Sequence, residues 1–258
     1  MVVYRLTLSY RGGAYHGWQR QANGRTVQEM VETALGELLE RPITVHGASR
    51  TDAGVHARGQ AAHLQLEEPF ATGGLIHGTN RHLPADIRVL AADRMPDGFH
   101  AQRHAAGKEY RYRLIRGRIL SPLDAPFAVP VRPEIDLTRL RRAAAALVGR
   151  HDFTAFALAG GSHQQPFRHI WQADWLENGR ELVFRVCGDG FLRGMVRSLV
   201  GTQLDVGLGR RSPDSFAALL EGRPRSAGGP TAPAHGLCLM GVFYEPPWSP
   251  MKPDDMVT

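Results

Sequence analysis

One carboxylate in this chain has neighbours that could make it reactive. Asp52 lies within Gly47–Gln60, GASRTDAGVHARGQ, with Arg50 two residues before it and glycines at Gly47 and Gly54. A neighbouring guanidinium keeps a carboxylate ionised as its site loses water, and glycines let backbone come close to a ligand. A carboxylate held in this way can act as a nucleophile or as a base. His56 offers a second route, in which it and Asp52 form the acid and base of a hydrolase. The same letters also suit a plain hairpin loop, with Asp52 closing an Asx-turn and the arginines solvated.

The flanking pattern says what must position these residues. Ile43, Thr44 and Val45 are a short β-branched run, and Ala62, Leu64 and Leu66 alternate with His63 and Gln65. Two strands are therefore expected, joined by a loop that holds Arg50, Asp52, Gly54, His56 and Arg58. Upstream, Tyr4–Tyr10 alternates as a strand, and Thr26 with Glu29 forms a capping box for a helix ending near Glu40. Downstream, a helix over Leu75–Leu83 is stopped by Pro84, and strands follow at Ile87–Arg94 and Glu109–Ile115. On the second of these Tyr110, Tyr112 and Leu114 share one face, and a core aromatic is the plain reading of Tyr110.

The Pro- and Arg-rich stretch Gly117–Pro133 reads as a crossing between two halves. Asp136 then caps a helix with Gly149 as its stop, and Ala159–Pro166 reads as a flexible loop. Trp171, Ala173 and Trp175 fall on one face of a strand that turns at Asn178-Gly179 into Leu182, Phe184 and Val186. A helix over Phe191–Leu204 would place Arg193 and Arg197 on one face, with Gly194 weakening it slightly. Ser212 and Pro213 open a last helix, a strand runs over Leu237–Tyr244, and the tail from Pro246 reads as disordered. Strands and hairpins with a few helices in each half give an α+β protein with antiparallel sheets.

Composition narrows the function. The chain has 258 residues, is 43% hydrophobic and 22% charged, and carries a net charge of +6, the profile of a soluble globular protein with a polyanionic partner. Arg81, Arg88, Arg103, Lys108, Arg111, Arg113, Arg116 and Arg118 crowd one span, with Arg139, Arg141 and Arg142 soon after. Cys187 and Cys238 are far apart and lie in apolar runs, as buried thiols of a reducing cytoplasm do. No signal-peptide pattern, membrane-length apolar run, Walker loop, dinucleotide fingerprint or C-x-x-C is found. His100 and His104 have i,i+4 spacing without a suitable third ligand nearby, so no metal site is expected.

SRTDAGVHARGQ resembles the signature loop of the tRNA pseudouridine synthase A family, G-x-R-T-D-A-G-V-H-A-x-G-Q. Further blocks follow in that family's order. They are YRGGAYHGWQRQ, Asn80 to Ile87, Phe99 to Tyr112, His151 to Phe156, FLRGMVRSLVGT, and Ala232 to Leu237. Arg11 stands where the family usually has Asp, Gln102 replaces its Arg, His104 its Ser, and Gly194 an Asn or His. The resemblance implies two ferredoxin-like halves in one continuous sheet, with the active cleft between them. Residues 1–116 would form the first half, 117–135 the crossing, 136–246 the second half and 247–258 the tail.

It also implies isomerisation of uridine to pseudouridine at positions 38, 39 and 40 of the tRNA anticodon stem-loop. The expected enzyme is a cytoplasmic homodimer whose two subunits contact one tRNA, working without metal or cofactor. Asp52 would be the essential carboxylate, as nucleophile or base. Tyr110 would stack on the base, Arg50 hold the flipped-out position open and bind backbone, Arg197 pair with Asp52, and Leu237 pack under the base. A synthase of the same family with a shifted RNA target, a non-catalytic RNA-binding module, and the Asp52–His56 hydrolase are the alternatives.

Overall fold

The computed structural model describes residues 1–161 and 165–244. Its strands are β1 (Val2–Tyr10), β2 (His46–Gly47), β3 (His56–Leu66), β4 (Ile87–Met95), β5 (Gly107–Arg116), β6 (Val129–Val131), β7 (Gly149–Asp152), β8 (Phe167–Asn178), β9 (Glu181–Gly188) and β10 (Leu237–Phe243). Its helices are α1 (Val27–Leu39), α2 (Thr72–His82), α3 (Leu137–Ala145), α4 (Met195–Gly207) and α5 (Pro213–Ala217). The starts of three helices are fixed by side-chain caps: Thr26 Oγ1 accepts from Glu29 N, Asp136 from Arg139 N, and Ser212 from Ser215 N.

The strands form one sheet in the order β4-β1-β3-β10-β5-β9-β8-β7, with β2 on β3 and β6 on β5. Two repeats of one plan make it. The run β1-α1-β2-β3-α2-β4 has its fourth strand beside the first, the first beside the third, and the third beside the second; this is the ferredoxin-like order. The run β5-α3-β8-β9-α4-β10 repeats that order, so the second repeat starts at β5, inside the 1–116 span expected to form the first half. The two repeats join because β2 is only two residues long. It covers Ala62 and His63 of β3, which leaves His56 and Ala57 to pair in parallel with Cys238 and Leu239 of β10. Most other ladders are antiparallel, so the fold is α+β with one continuous sheet.

Strand alternation sends Tyr4, Leu6 and Leu64 of the first repeat and Tyr112, Leu114 and Phe184 of the second into one core. Val31, Leu35, Leu75, Leu140 and Leu199 of the helices close it. A small cluster of Val3, Ala48, Ala61, Phe99 and Ala101 lies on the opposite face.

Several sequence expectations shift. Ile43–Val45 is not a strand; pairing is confined to His46 and Gly47, and β3 begins at His56, so His56 and Arg58 belong to a strand rather than the loop. The second helix starts at Thr72, and β6 lies within the predicted crossing. Helix α3 ends at Ala145, and Gly149, with φ +115°, opens β7 instead of stopping the helix. A bulge between Ile170 and Gln172 gives Ile170 the buried place opposite Gly188, displacing Trp171 from the face of Ala173 and Trp175. Helix α4 starts at Met195 because Gly194 takes φ +66° just before it. Gly194 therefore precedes the helix rather than weakening it, and Arg193 is not one helical turn from Arg197. The predicted disordered tail from Pro246 lies outside the described residues, as do residues 162–164 of the predicted flexible loop.

Candidate active site

Asp52 stands in the loop between β2 and β3, and the first repeat fixes that loop from several sides. The buried Gln60 of β3 grips Ser49 twice: Ser49 N donates to its Oε1 at 3.2 Å, and its Nε2 donates to the Ser49 carbonyl at 2.6 Å. The Thr51 and Tyr10 hydroxyls share a buried hydrogen bond of 2.8 Å. Trp18 N donates to the Thr51 carbonyl, Gly54 N to the Tyr15 carbonyl, and Val55 N to the Asp52 carbonyl. Gly47 and Gly54 serve this packing. A Cβ on Gly47 would fall 2.2 Å from the Trp18 indole nitrogen, and Gly54 turns the chain with φ +80°.

The second repeat brings its residues to the same place. Arg197 on α4 donates from Nη1 to Asp52 Oδ2 at 3.1 Å and from Nε to the Ala232 carbonyl at 2.8 Å. The two charged side chains keep 19% and 22% of their surface exposed, so the pair is sheltered but reachable. Tyr110 of β5 is buried and shares a 2.8 Å hydrogen bond with the Ser49 hydroxyl. Its ring and that of Phe191 are nearly perpendicular, with 5.1 Å between centroids. Burial pushes the Tyr110 phenol well above its ordinary pKa; the Ser49 hydrogen bond opposes this and the Asp52 charge adds to it. Leu237 opens β10 buried opposite Tyr112, whose hydroxyl donates to the Pro233 carbonyl at 2.8 Å. Arg50 is exposed on the Asp52 loop. Of the five residues singled out by sequence, Asp52 and Arg197 touch, Tyr110 reaches the Asp52 loop through Ser49, Arg50 is on that loop, and Leu237 lies opposite Tyr112 on the neighbouring strand.

Ser49, Gln60 and Phe191 are the supporting residues that sequence reading passed over. A signal existed for Gln60, an amide in a strand otherwise flanked by Ala61, Ala62 and Leu64. Ser49 sits at a variable place in the motif and gave none.

His56 does something other than acid–base work. Its Nδ1 accepts from Gly12 N at 3.0 Å, which leaves the proton on Nε2 to be donated toward the carbonyls of Pro126 at 3.0 Å and His235 at 3.1 Å. Burial holds its pKa below the ordinary histidine value, favouring this neutral form. Both nitrogens are committed to backbone, which overturns the Asp52–His56 hydrolase reading. His100 and His104 are likewise engaged in turns: His100 Nδ1 accepts from Gln102 N and Arg103 N, and His104 Nδ1 from His100 N. At the departed position 11, the Arg11 guanidinium lies over the Phe127 ring, while nearby Tyr15 donates to Asp86 at 2.6 Å. A cavity of about 690 Å³ lined by Arg11, Arg58, Arg111, Arg113 and Phe127 excludes Asp52 and Arg197. It opens on the sheet face that Arg111 and Arg113 share, opposite Tyr110.

A doubled ferredoxin-like sheet with an aspartate–arginine pair between its repeats defines a class of protein, and comparison gives the family. Residues 7–102 and 143–245 match the family described as tRNA pseudouridine synthase. A tRNA pseudouridine synthase A from Syntrophotalea carbinolica is 46% identical over 246 residues, covering 95% of this chain and 98% of that protein. Those from Exiguobacterium sibiricum and Geobacter sp. strain M21 are 40% and 42% identical over 241 residues, covering 93% of this chain and 96% and 98% of theirs. The chain belongs to the tRNA pseudouridine synthase family, isomerases that convert uridine to pseudouridine in tRNA. Among the described residues no helix is long and apolar enough to cross a membrane.

Proposed function

We propose that this protein isomerises uridine to pseudouridine at positions 38, 39 and 40 of the tRNA anticodon stem-loop, with Asp52 as the essential carboxylate. The observation that carries this reading is the 3.1 Å pair of Asp52 and Arg197, one residue from each repeat, with Tyr110 tied to the Asp52 loop through Ser49. Family membership supplies the reaction class. In the reaction the N1–C1′ bond breaks, the uracil turns, and C5 bonds to C1′. The C5 hydrogen leaves to water as a proton and N1 gains one, so the change needs no oxidant or reductant.

The target nucleotide must leave its stack to reach a carboxylate set into a loop. Asp52 acts on it as nucleophile or as base, and Arg197 orients that carboxylate and keeps its charge balanced. Tyr110 stacks against the base with Leu237 packed beneath, and Arg50 holds the vacated position and its backbone. The enzyme works as a cytoplasmic homodimer, both subunits contacting one tRNA. The exposed arginines of a +6 chain suit that polyanion.

The test is release of tritium to water from anticodon-arm transcripts labelled at uridine C5, with EDTA present. Release is expected from transcripts with uridine at any of the three positions, and a free base is not expected among the products. No release from any tRNA carrying uridine in that arm would overturn the reading.

A further inference from the structure

Lys108 is the only lysine among the described residues of a chain with 31 lysines and arginines in all. Strand alternation in β5 puts it on the face of Tyr110 and Tyr112, two residues from the tyrosine of the site. Its cross-strand partners are Gly188 of β9 and Val242 of β10, neither of which can answer its charge. The charged groups that face it are Arg168 of β8 and Asp189, just beyond β9. Arg168 faces the same Asp189, and its Nη1 is turned to the carbonyls of Gln165 at 2.8 Å and Phe167 at 2.5 Å. Asp189 Oδ1 accepts from His169 N at 3.1 Å. Two cations thus lie in the field of one carboxylate.

The place of this excess charge matters. Gly190 lies against the Arg168 side chain, where an added Cβ would be 3.4 Å from Nε. The next residue, Phe191, meets Tyr110 edge-on at 5.1 Å. The Lys108–Arg168 pair therefore borders the two aromatic rings. Burial lowers the Lys108 amine to about 8 and lowers Arg168 as well, because charge is costly where water is scarce. An arriving anion relieves that cost.

We infer that Lys108, with Arg168 beside it, seats a backbone phosphate of the RNA strand entering the cleft next to the target nucleotide, making Lys108 a positioning residue of the reaction. The inference rests on the proposed site around Asp52 and Tyr110. A phosphodiester fits because the substrate presents one negative charge per nucleotide, whereas the uracil itself is neutral. A lysine presents a compact charge with rotatable donors, suited to one phosphate oxygen.

The experiment compares wild type with Lys108→Met, Lys108→Gln and Lys108→Arg in the tritium-release assay across salt and pH, with melting temperatures measured alongside. Two neutral variants are used so that a folding defect in one does not decide the outcome. Both are expected to raise KM about tenfold and to reduce the slope of log affinity against log salt by about 1, with kcat within about threefold. Lys108→Arg is expected to restore both. In wild type, KM should climb as pH passes about 8, where the amine loses its proton, and Lys108→Arg should remain flat. An unchanged salt slope in the folded neutral variants would overturn the inference, as would a loss of kcat at constant KM, or an Arg variant that restores nothing. Absence of tritium release by wild type is a separate result that would fail the underlying site reading instead.

Discussion

Asp52 and Glu109 are both carboxylates met by arginines near the middle of one sheet, and they are built to opposite ends. Glu109 precedes Tyr110 on β5 and faces the other side of the sheet. Its side chain is 1% exposed, and Arg185 binds both of its oxygens, from Nε at 3.1 Å and Nη2 at 3.2 Å, while Arg111 adds 2.7 Å to Oε1. That carboxylate is closed off. Asp52 meets the Arg197 guanidinium through Oδ2 on a loop braced from behind, and keeps 22% of its side-chain surface open. A charge saturated on every side holds strands together, whereas a charge oriented on one side and reachable on the other can react. The difference is one of enclosure, not of residue type.

The largest break in this comparison is Asp52→Asn, which should lower turnover roughly 10⁴-fold or more while changing stability by at most about 1 kcal/mol. Tritium release and thermal melting read the two quantities separately. Glu109→Gln should do the reverse. Removing the anion leaves two guanidinium groups uncompensated, for a loss of about 3–5 kcal/mol, seen as a lower denaturant midpoint. Activity per folded molecule should stay within about threefold of wild type. A Glu109 variant that is stable but inactive would put that carboxylate in the chemistry and dissolve the contrast. Arg197→Met lies between them, since it frees the Asp52 carboxylate and the Ala232 carbonyl together. It should cut kcat about 10²-fold and cost about 1–2 kcal/mol of stability. A loss confined to KM would move Arg197 from orienting Asp52 to holding RNA.

The closed carboxylate was the harder one to read. Asp52 stood out because its loop is a short contiguous span that matches a family signature, although the same residues alone suit a plain turn. The apolar pattern around Arg197 indicated a helix, but its pairing with Asp52 came only from the resemblance, and Gly194, with φ +66°, moves the start of α4 past Arg193. Glu109 gave no signal, since Arg185 joins it only through the β5–β9 register. Lengths of strands misled where pairing, not composition, decides them. Ile43–Val45 has the composition of a strand but no partner, while β7, Gly-Arg-His-Asp, has a partner in β8 but no alternation. The joining of the repeats into one sheet was legible only through the family resemblance, because it depends on β2 being short enough to leave β3 open to β10.

His56 offers the finest test, because it belongs with Glu109 by enclosure and yet follows Asp52 by four residues. Its ring links three separate stretches: Gly12 on one nitrogen, and Pro126 and His235 on the other. Only the neutral imidazole, protonated on Nε2, can accept from Gly12 and donate to those carbonyls at once. Its folded-state pKa lies below the ordinary value, with burial as the main cause. As pH falls from the ordinary histidine range toward that lowered value, the unfolded chain takes up a proton that the folded chain refuses. The contribution of His56 is therefore complete above about 6.5 and is lost progressively on acidification. His56→Gln should cost about 1–2 kcal/mol at neutral pH and flatten the acid limb of the stability profile, with kcat within about threefold of wild type. An acid or base of the reaction would behave in the opposite sense, losing about 10²–10⁴ in rate with its acid limb unchanged. That outcome would return His56 to the side of Asp52 and show that enclosure does not separate the two kinds of residue here.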